Sequence, residues 1–268
     1  MTSRRTQVVA KILRPRHAAD IANNSLRPKG DYRRIKRSEY LWPKLLGTVE
    51  RQTLADQLYD IYRETVHGLT RDELADEVLG RNDARVALFY GAKRELAGFS
   101  YVGIERIEHT SRQYAVFCAS VYCRLGYRGG VPASLFGLRE ALRFKLHEPR
   151  TPLAYLTRCA SPAVYRLIAS TMPRVYPSFR HQTPDYVEAL IRKLSVRRNY
   201  IAVNGDPWIV RSVATPNDLS RLSRIEGDPQ VRFFVELNPR FAEGSSLLTW
   251  TPLDAANIAG GLCRLAQL

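Results

Sequence analysis

The stretch VYCRLGYRGGVPASLFGLREAL, Val121 to Leu142, decides how this chain is read. It opens as the end of an apolar run, turns through a basic glycine segment, and leaves with helical spacing. Gly129 and Gly130 let a ligand approach the main chain, and the unpaired N–H groups of a helix start attract anions. Pro132 falls among the first helical positions, where an N–H has no partner to lose. Leu135, Leu138, Leu142 and Leu146 recur every three or four residues, which predicts a core-facing stripe. Phe136 and Phe144 flank that stripe, with Arg139, Arg143 and Lys145 largely opposite. A bound phosphate is the first chemical reading of such a turn.

Upstream, RQTLADQLYDIYRETV (51–66) carries helical spacing, and TRDELADEVLG (70–80) has a capping box in Thr70 and Glu73 with Gly80 as its stop. The period then changes. Residues 84–91, 95–108 and 112–123 are β-branched and aromatic runs separated by short turns, the spacing of an antiparallel meander. Downstream, 152–160 predicts a strand, Ser161 and Pro162 open a helix, and TPDYVEALIRKL opens another from Thr183. PWIVRSV (207–213), VRFFVEL (231–237) and SSLLTW (245–250) predict strands before a final helix. A strand reached through a crossover helix lies parallel to the one before it. The fold class is therefore α/β, a mixed, mostly antiparallel twisted sheet flanked by helices. A ligand crevice is expected where the pairing changes direction. Residues 1–48 divide off as a basic N-terminal extension, 49–180 as the core, and 181–268 as a C-terminal part completing or extending the sheet.

The bulk numbers narrow the function classes. With 268 residues and 45% hydrophobic side chains, the chain can bury a core. It has no apolar run of the roughly 18 residues that span a bilayer, and its N-terminus lacks a secretory pattern. A cytoplasmic protein is expected, peripheral to the inner membrane face in one reading. Cys118, Cys123, Cys159 and Cys263 form no CxxC pair and have no histidine at ligand spacing, which argues against a metal centre or disulfide framework. The charge is +15, from 41 Lys and Arg against 26 Asp and Glu, and it gathers at the N-terminus. A field of that sign attracts an acidic protein, an anionic membrane or nucleic acid. Nucleic acid is the weakest of these, because no zinc finger, RNP-like motif or helix-turn-helix is present.

The turn and the order of elements around it resemble the GNAT superfamily of acyl-CoA-dependent N-acyltransferases over about residues 50 to 172. In that family a strand ends in an Arg/Gln-x-x-Gly-x-Gly/Ala turn that binds the pyrophosphate of coenzyme A or the phosphate of phosphopantetheine. Here the turn is Arg128-Gly129-Gly130-Val131-Pro132-Ala133. Arg128 and Ala133 fit the pattern, while Val131 stands where the middle glycine is usual. The resemblance implies an N-acyltransferase taking its acyl group from acyl-CoA or acyl-phosphopantetheine, with Cys123, Arg124, Arg128, Gly129, Gly130, Val131, Ala133 and Ser134 around the donor. The elaborated C-terminal part and the basic arm are similar to the N-acyl amino acid and acyl-homoserine-lactone synthases, which implies a long acyl chain, an amino acid acceptor and an acidic acyl carrier protein as partner.

Transfer from a thioester to an amine needs a base for the amine proton, a polarised carbonyl and an acid for the leaving thiolate. Glu105 shares a strand face with Tyr101 and Gly103 and is the expected base; a solvated edge carboxylate is the competing reading. His109, in a turn, is a second proton-transfer candidate. The resemblance implies a tyrosine as the acid on the last helix of the core; Tyr165, in the helix after 152–160, stands there but off the family's usual spacing, and a packing role is the competing reading. The competing function is a basic nucleic-acid- or membrane-binding protein on a noncatalytic GNAT fold.

Overall fold

The computed structural model describes residues 33–81, 83–127, 130–216 and 225–265. Among these, the strands of the main sheet are β1 (Arg37–Leu41), β3 (Arg85–Tyr90), β4 (Leu96–His109), β5 (Arg112–Cys123), β6 (Leu153–Cys159), β7 (Ala202–Val203), β8 (Asp206–Arg211) and β10 (Ser245–Pro252). Their order across the sheet is β1-β3-β4-β5-β6-β10-β8-β7. Two short strands, β2 (Val66–His67) and β9 (Thr215–Pro216), pair separately. Every neighbouring pair in the main sheet is antiparallel except β5 and β6, which run parallel because the helix α3 (Gly130–His147) carries the chain between them. The mixed, mostly antiparallel sheet expected from sequence is observed. Arg37–Leu41, assigned to the extension by sequence, is a sheet strand: it pairs along its full length with β3, Arg37 opposite Tyr90 and Leu41 opposite Val86.

Two helices, α1 (Thr48–Thr65) and α2 (Arg71–Leu79), lie on one face. Leu54, Leu58 and Ile61 of α1 and Leu74 and Val78 of α2 pack on Val86, Phe99 and Tyr122. α2 starts as its sequence dictates: Thr70 Oγ1 accepts from the Glu73 N–H at 3.3 Å, and Glu73 Oε2 accepts from the Thr70 N–H at 2.7 Å. α5 (Asp185–Arg197) covers the other half of that face, setting Val187, Leu190, Ile191 and Leu194 on Leu156, Leu248 and Trp250. Its cap is Pro184 rather than Thr183, and Asp185 is its first residue.

α3 lies on the opposite face, and there the leucine stripe is a correction. Phe136, Ala141 and Phe144 are the residues buried on Ala87, Phe89, Phe117 and Leu153. Leu135, Leu142 and Leu146 are exposed, at 55, 57 and 74%. Aromatic bulk outcompetes the leucines, since a Phe side chain removes more apolar area from water. Beside α3 on this face sit α4 (Pro162–Thr171) and α6 (Pro229–Leu237), with α7 (Ala255–Leu265) closing the chain. α6 replaces the strand expected over 231–237. Asp228 accepts from the Gln230 N–H at 2.8 Å, Pro229 stands in the first turn, and Val231, Phe234 and Val235 share one buried face.

Candidate functional site

The feature that positions a site is the end of the β5–β6 ladder. Ala115, Val116, Phe117 and Cys118 pair with Leu153, Ala154, Tyr155 and Leu156, and there the pairing stops. β5 continues to Cys123 against β4, while β6 continues to Cys159 against β10, so the strands part above Cys118 and Leu156. Ala115 donates its N–H toward β6, to Pro152 O at 2.9 Å. By the two-residue alternation of a strand, the N–H groups of Ala119 and Val121 point the same way, into the gap. The Tyr155 hydroxyl donates to Ala119 O at 3.1 Å and braces the point of divergence.

On the α1/α2 face, side chains gather beneath this gap between the two apolar clusters. The register sets Tyr101 opposite Ser120, Gly103 opposite Cys118 and Glu105 opposite Val116. A Cβ at Gly103 would lie 2.7 Å from Arg81 Cδ, so the glycine is what lets the Arg81 stem cross the strand. Glu77 of α2 accepts from the Tyr101 hydroxyl and from Arg158 NH2 at 2.8 Å, both at the same oxygen, Oε1. Arg158 comes from the stretch of β6 that β5 has left. Burial works against its charge, and the surrounding Tyr200, Glu77, Tyr101 and Tyr122 outweigh that cost and hold the guanidinium firmly protonated. Burial pushes the Tyr101 and Tyr122 phenols well above their ordinary range, so both keep their protons at neutral pH.

The structure separates the residues nominated by sequence. Glu105 does share a face with Tyr101 and Gly103, but it is 9% exposed and ion-paired, to Arg198 Nε at 2.8 Å and Arg197 Nε at 3.1 Å. One oxygen holds Arg197 and the other Arg198, whose other nitrogens reach the Tyr200 hydroxyl and Cys118 Sγ. That makes it a positioning carboxylate, not the free base expected. His109 is the last residue of β4, and lies about 20 Å from Gly103 at ~3.3 Å per strand residue. Tyr165 is fully buried on the other face with Phe233 and Phe234, and its hydroxyl donates to Pro177 O at 2.8 Å, so it packs rather than delivers a proton.

Around the turn, Arg124 is engaged by the Glu64 carboxylate and by Leu96 O at 2.9 Å. Cys123 packs on Gly98, and burial pushes its thiol up to about 11. Arg128 and Gly129 lie outside the described residues. Gly130 and Val131 are the first residues of α3, where N–H groups have no acceptor within the helix, with Pro132 next; Ala133 packs into the α3 core and Ser134 is exposed. Sequence reasoning missed Glu77 and Arg158. Glu77 sits among the helical positions of α2 like any surface glutamate, and only the packing of α2 over β4 and β6 brings it to Tyr101 and Arg158. Among the described residues no group of three metal-ligating side chains occurs, and no helix is long and apolar enough to cross a membrane.

No protein-family model and no curated protein sequence matches the chain. Solved structures overlap it loosely. A conserved protein of unknown function from Enterococcus faecalis V583, described as a probable N-acyltransferase, is 14% identical over 49% of this chain, with a TM-score of 0.34. The overlap spans 31% of that protein's length. A chain of the NatC complex bound to Gag peptide and CoA is 12% identical, over 82% of this chain and all of its own, with a TM-score of 0.39. A GNAT family acetyltransferase from Staphylococcus aureus is 13% identical over 42% of this chain and 80% of its own, with a TM-score of 0.27. Overlaps this loose carry no functional weight, and the chain's own residues must supply the function.

Proposed function

We propose that this chain is an N-acyltransferase of GNAT type, with the gap between β5 and β6 as its thioester cleft. The observation that carries the reading is the abrupt end of the parallel ladder at Cys118 and Leu156, followed on the β5 side by a turn into α3. A pantetheine arm entering that gap meets the strand-edge amides of Ala119 and Val121, which donate to the thioester carbonyl as charge develops on its oxygen. Its phosphates fall toward the start of α3, where Gly130 and Val131 present N–H groups to an anion.

An amine acceptor approaches from the α1/α2 face. Glu77 Oε2, left aside by Tyr101 and Arg158, takes the proton as the nitrogen bonds to the carbonyl carbon. The carbon–sulfur bond then breaks, and the thiolate takes up the proton that Glu77 accepted from the amine. Arg158 stands beside Glu77 and suits the carboxylate of an acceptor whose amine Glu77 deprotonates, which supports an amino acid.

An acidic carrier protein as donor is supported by two features together. Leu135, Leu142 and Leu146 form an exposed apolar stripe along α3, and Arg139 and Arg143 flank it. A partner helix with apolar residues between acidic ones matches that face, and two copies of this chain meeting there would set arginine against arginine. The test is release of free thiol from acetyl-CoA, a long-chain acyl-CoA and acyl carrier protein in the presence of amino acids. Acyl transfer from one of these donors, lost in Glu77→Gln with donor binding retained, is expected. Absence of both donor binding and transfer with all three donors overturns the reading.

A further inference from the structure

At the opposite end of the same two strands lies a second cleft, of about 650 Å³, a volume typical of small-molecule sites. One wall is the β4–β5 hairpin with Arg112 and Tyr114, and the other is the end of α3 and the loop after it, with Lys145 and Arg150. Tyr186 of α5 closes the side and Trp250 lies at the floor. Arg112, Lys145 and Arg150 supply three cations. The facing carboxylate, Asp254, is spent elsewhere: Arg174 NH2 reaches its two oxygens at 2.6 and 2.5 Å, and the Asn257 N–H reaches Oδ1 at 3.0 Å.

Lys145 is the pivotal group. Its Nζ donates to Thr151 O at 2.6 Å. Burial holds its pKa below the ordinary lysine range, Asp254 opposes that shift, and Arg112 adds to it. Arg112 and Lys145 both line the cleft, so an anionic group entering it meets two cations. The cleft is also aromatic. Tyr114 and Tyr186 stack at 6.1 Å with their planes within 23°, Arg112 sits 5.8 Å from the Tyr114 ring, and Tyr186 is 40% exposed. Such a wall accepts a further flat ring.

We propose that this cleft binds a small organic anion carrying a planar ring, with the anionic group between Arg112 and Lys145 and the ring against Tyr186 and Tyr114. The site is independent of acyl transfer. Tyr114 lies about 13 Å along β5 from Cys118 at ~3.3 Å per residue, and the paired β5–β6 ladder runs between this cleft and the gap.

Isothermal titration of the full chain with AMP, benzoate and inorganic phosphate tests the proposal. AMP or benzoate is expected to bind saturably and more tightly than phosphate. Arg112→Glu and Lys145→Met should each weaken that binding about tenfold or more, the cost of one charge-assisted contact. Tyr186→Ala should weaken the ring-bearing probes and leave phosphate unchanged, and thermal melting confirms that each variant is folded. Three results overturn the proposal: no saturable binding by any probe, binding indifferent to Arg112→Glu and Lys145→Met, or phosphate binding as tightly as AMP and benzoate.

Discussion

At the scale of single residues, the chemistry proposed for the gap turns on Glu77, whose contacts with Tyr101 and Arg158 converge on one oxygen. Glu77→Gln preserves shape and removes the base, so kcat for amine acylation should fall about 100-fold or more with KM for the donor little changed. A fall in donor affinity instead would assign Glu77 to binding. The cysteines offer a check on burial. Desolvation raises the Cys123 thiol to about 11, so it stays protonated at neutral pH and gains thiolate only as pH approaches that value. Mass spectrometry after iodoacetamide treatment at pH 8 should find Cys263, the exposed one, alkylated well before Cys118, Cys123 and Cys159. Labelling of Cys123 as fast as Cys263 would contradict its packing on Gly98. Glu105 was legible as a strand residue on the face of Tyr101. Its pairing with Arg198 was not, because those two residues lie 93 positions apart and meet only when α5 docks.

At the scale of elements, α3 and α6 show where periodicity succeeds and where it misleads. Two apolar stripes are written into α3, one of leucines and one of Phe136, Ala141 and Phe144, and helical spacing cannot choose between them. Phe144→Ala should cost about 3–5 kcal/mol of unfolding free energy by removing a buried ring, while Leu142→Gln should change stability by about 0.5 kcal/mol or less. Chemical denaturation of both variants checks the orientation of the helix, and the reverse order would turn it over. VRFFVEL reads as a strand because valine and phenylalanine favour sheets. The decisive signal lay just upstream, in Asp228 as cap and Pro229 in the first turn. Asp228 also receives Arg166 Nε of α4 at 2.6 Å, tying the two helices together. Asp228→Ala should therefore lower stability by about 1–2 kcal/mol, read as a drop in Tm of a few degrees.

At the scale of the whole molecule, a charge of +15 sets which partners approach. If an acidic carrier protein delivers the acyl chain to α3, its affinity should fall at least about tenfold from low to physiological salt, while KM for acyl-CoA responds less. Surface plasmon resonance across a salt series measures this, and a salt-independent affinity would remove charge from the recognition of the carrier. The two clefts occupy opposite ends of β5 and β6 because the strands part at one end and are flanked by the β4–β5 hairpin and the loop after α3 at the other.

The chain's local order was determined by its sequence alone: the meander over 84–123, the turn into α3, the parallel return through β6 and the Thr70 capping box all follow from periods, caps and turns within a few residues of one another. Tertiary structure decided what local rules do not reach. It placed β1 in the sheet, turned the leucines of α3 outward, brought Glu77 to Arg158 and spent Glu105 on Arg198. Those outcomes are set by competition for buried area and by charges meeting across 80 or more residues, and such contacts exist only once the sheet and its helices have packed.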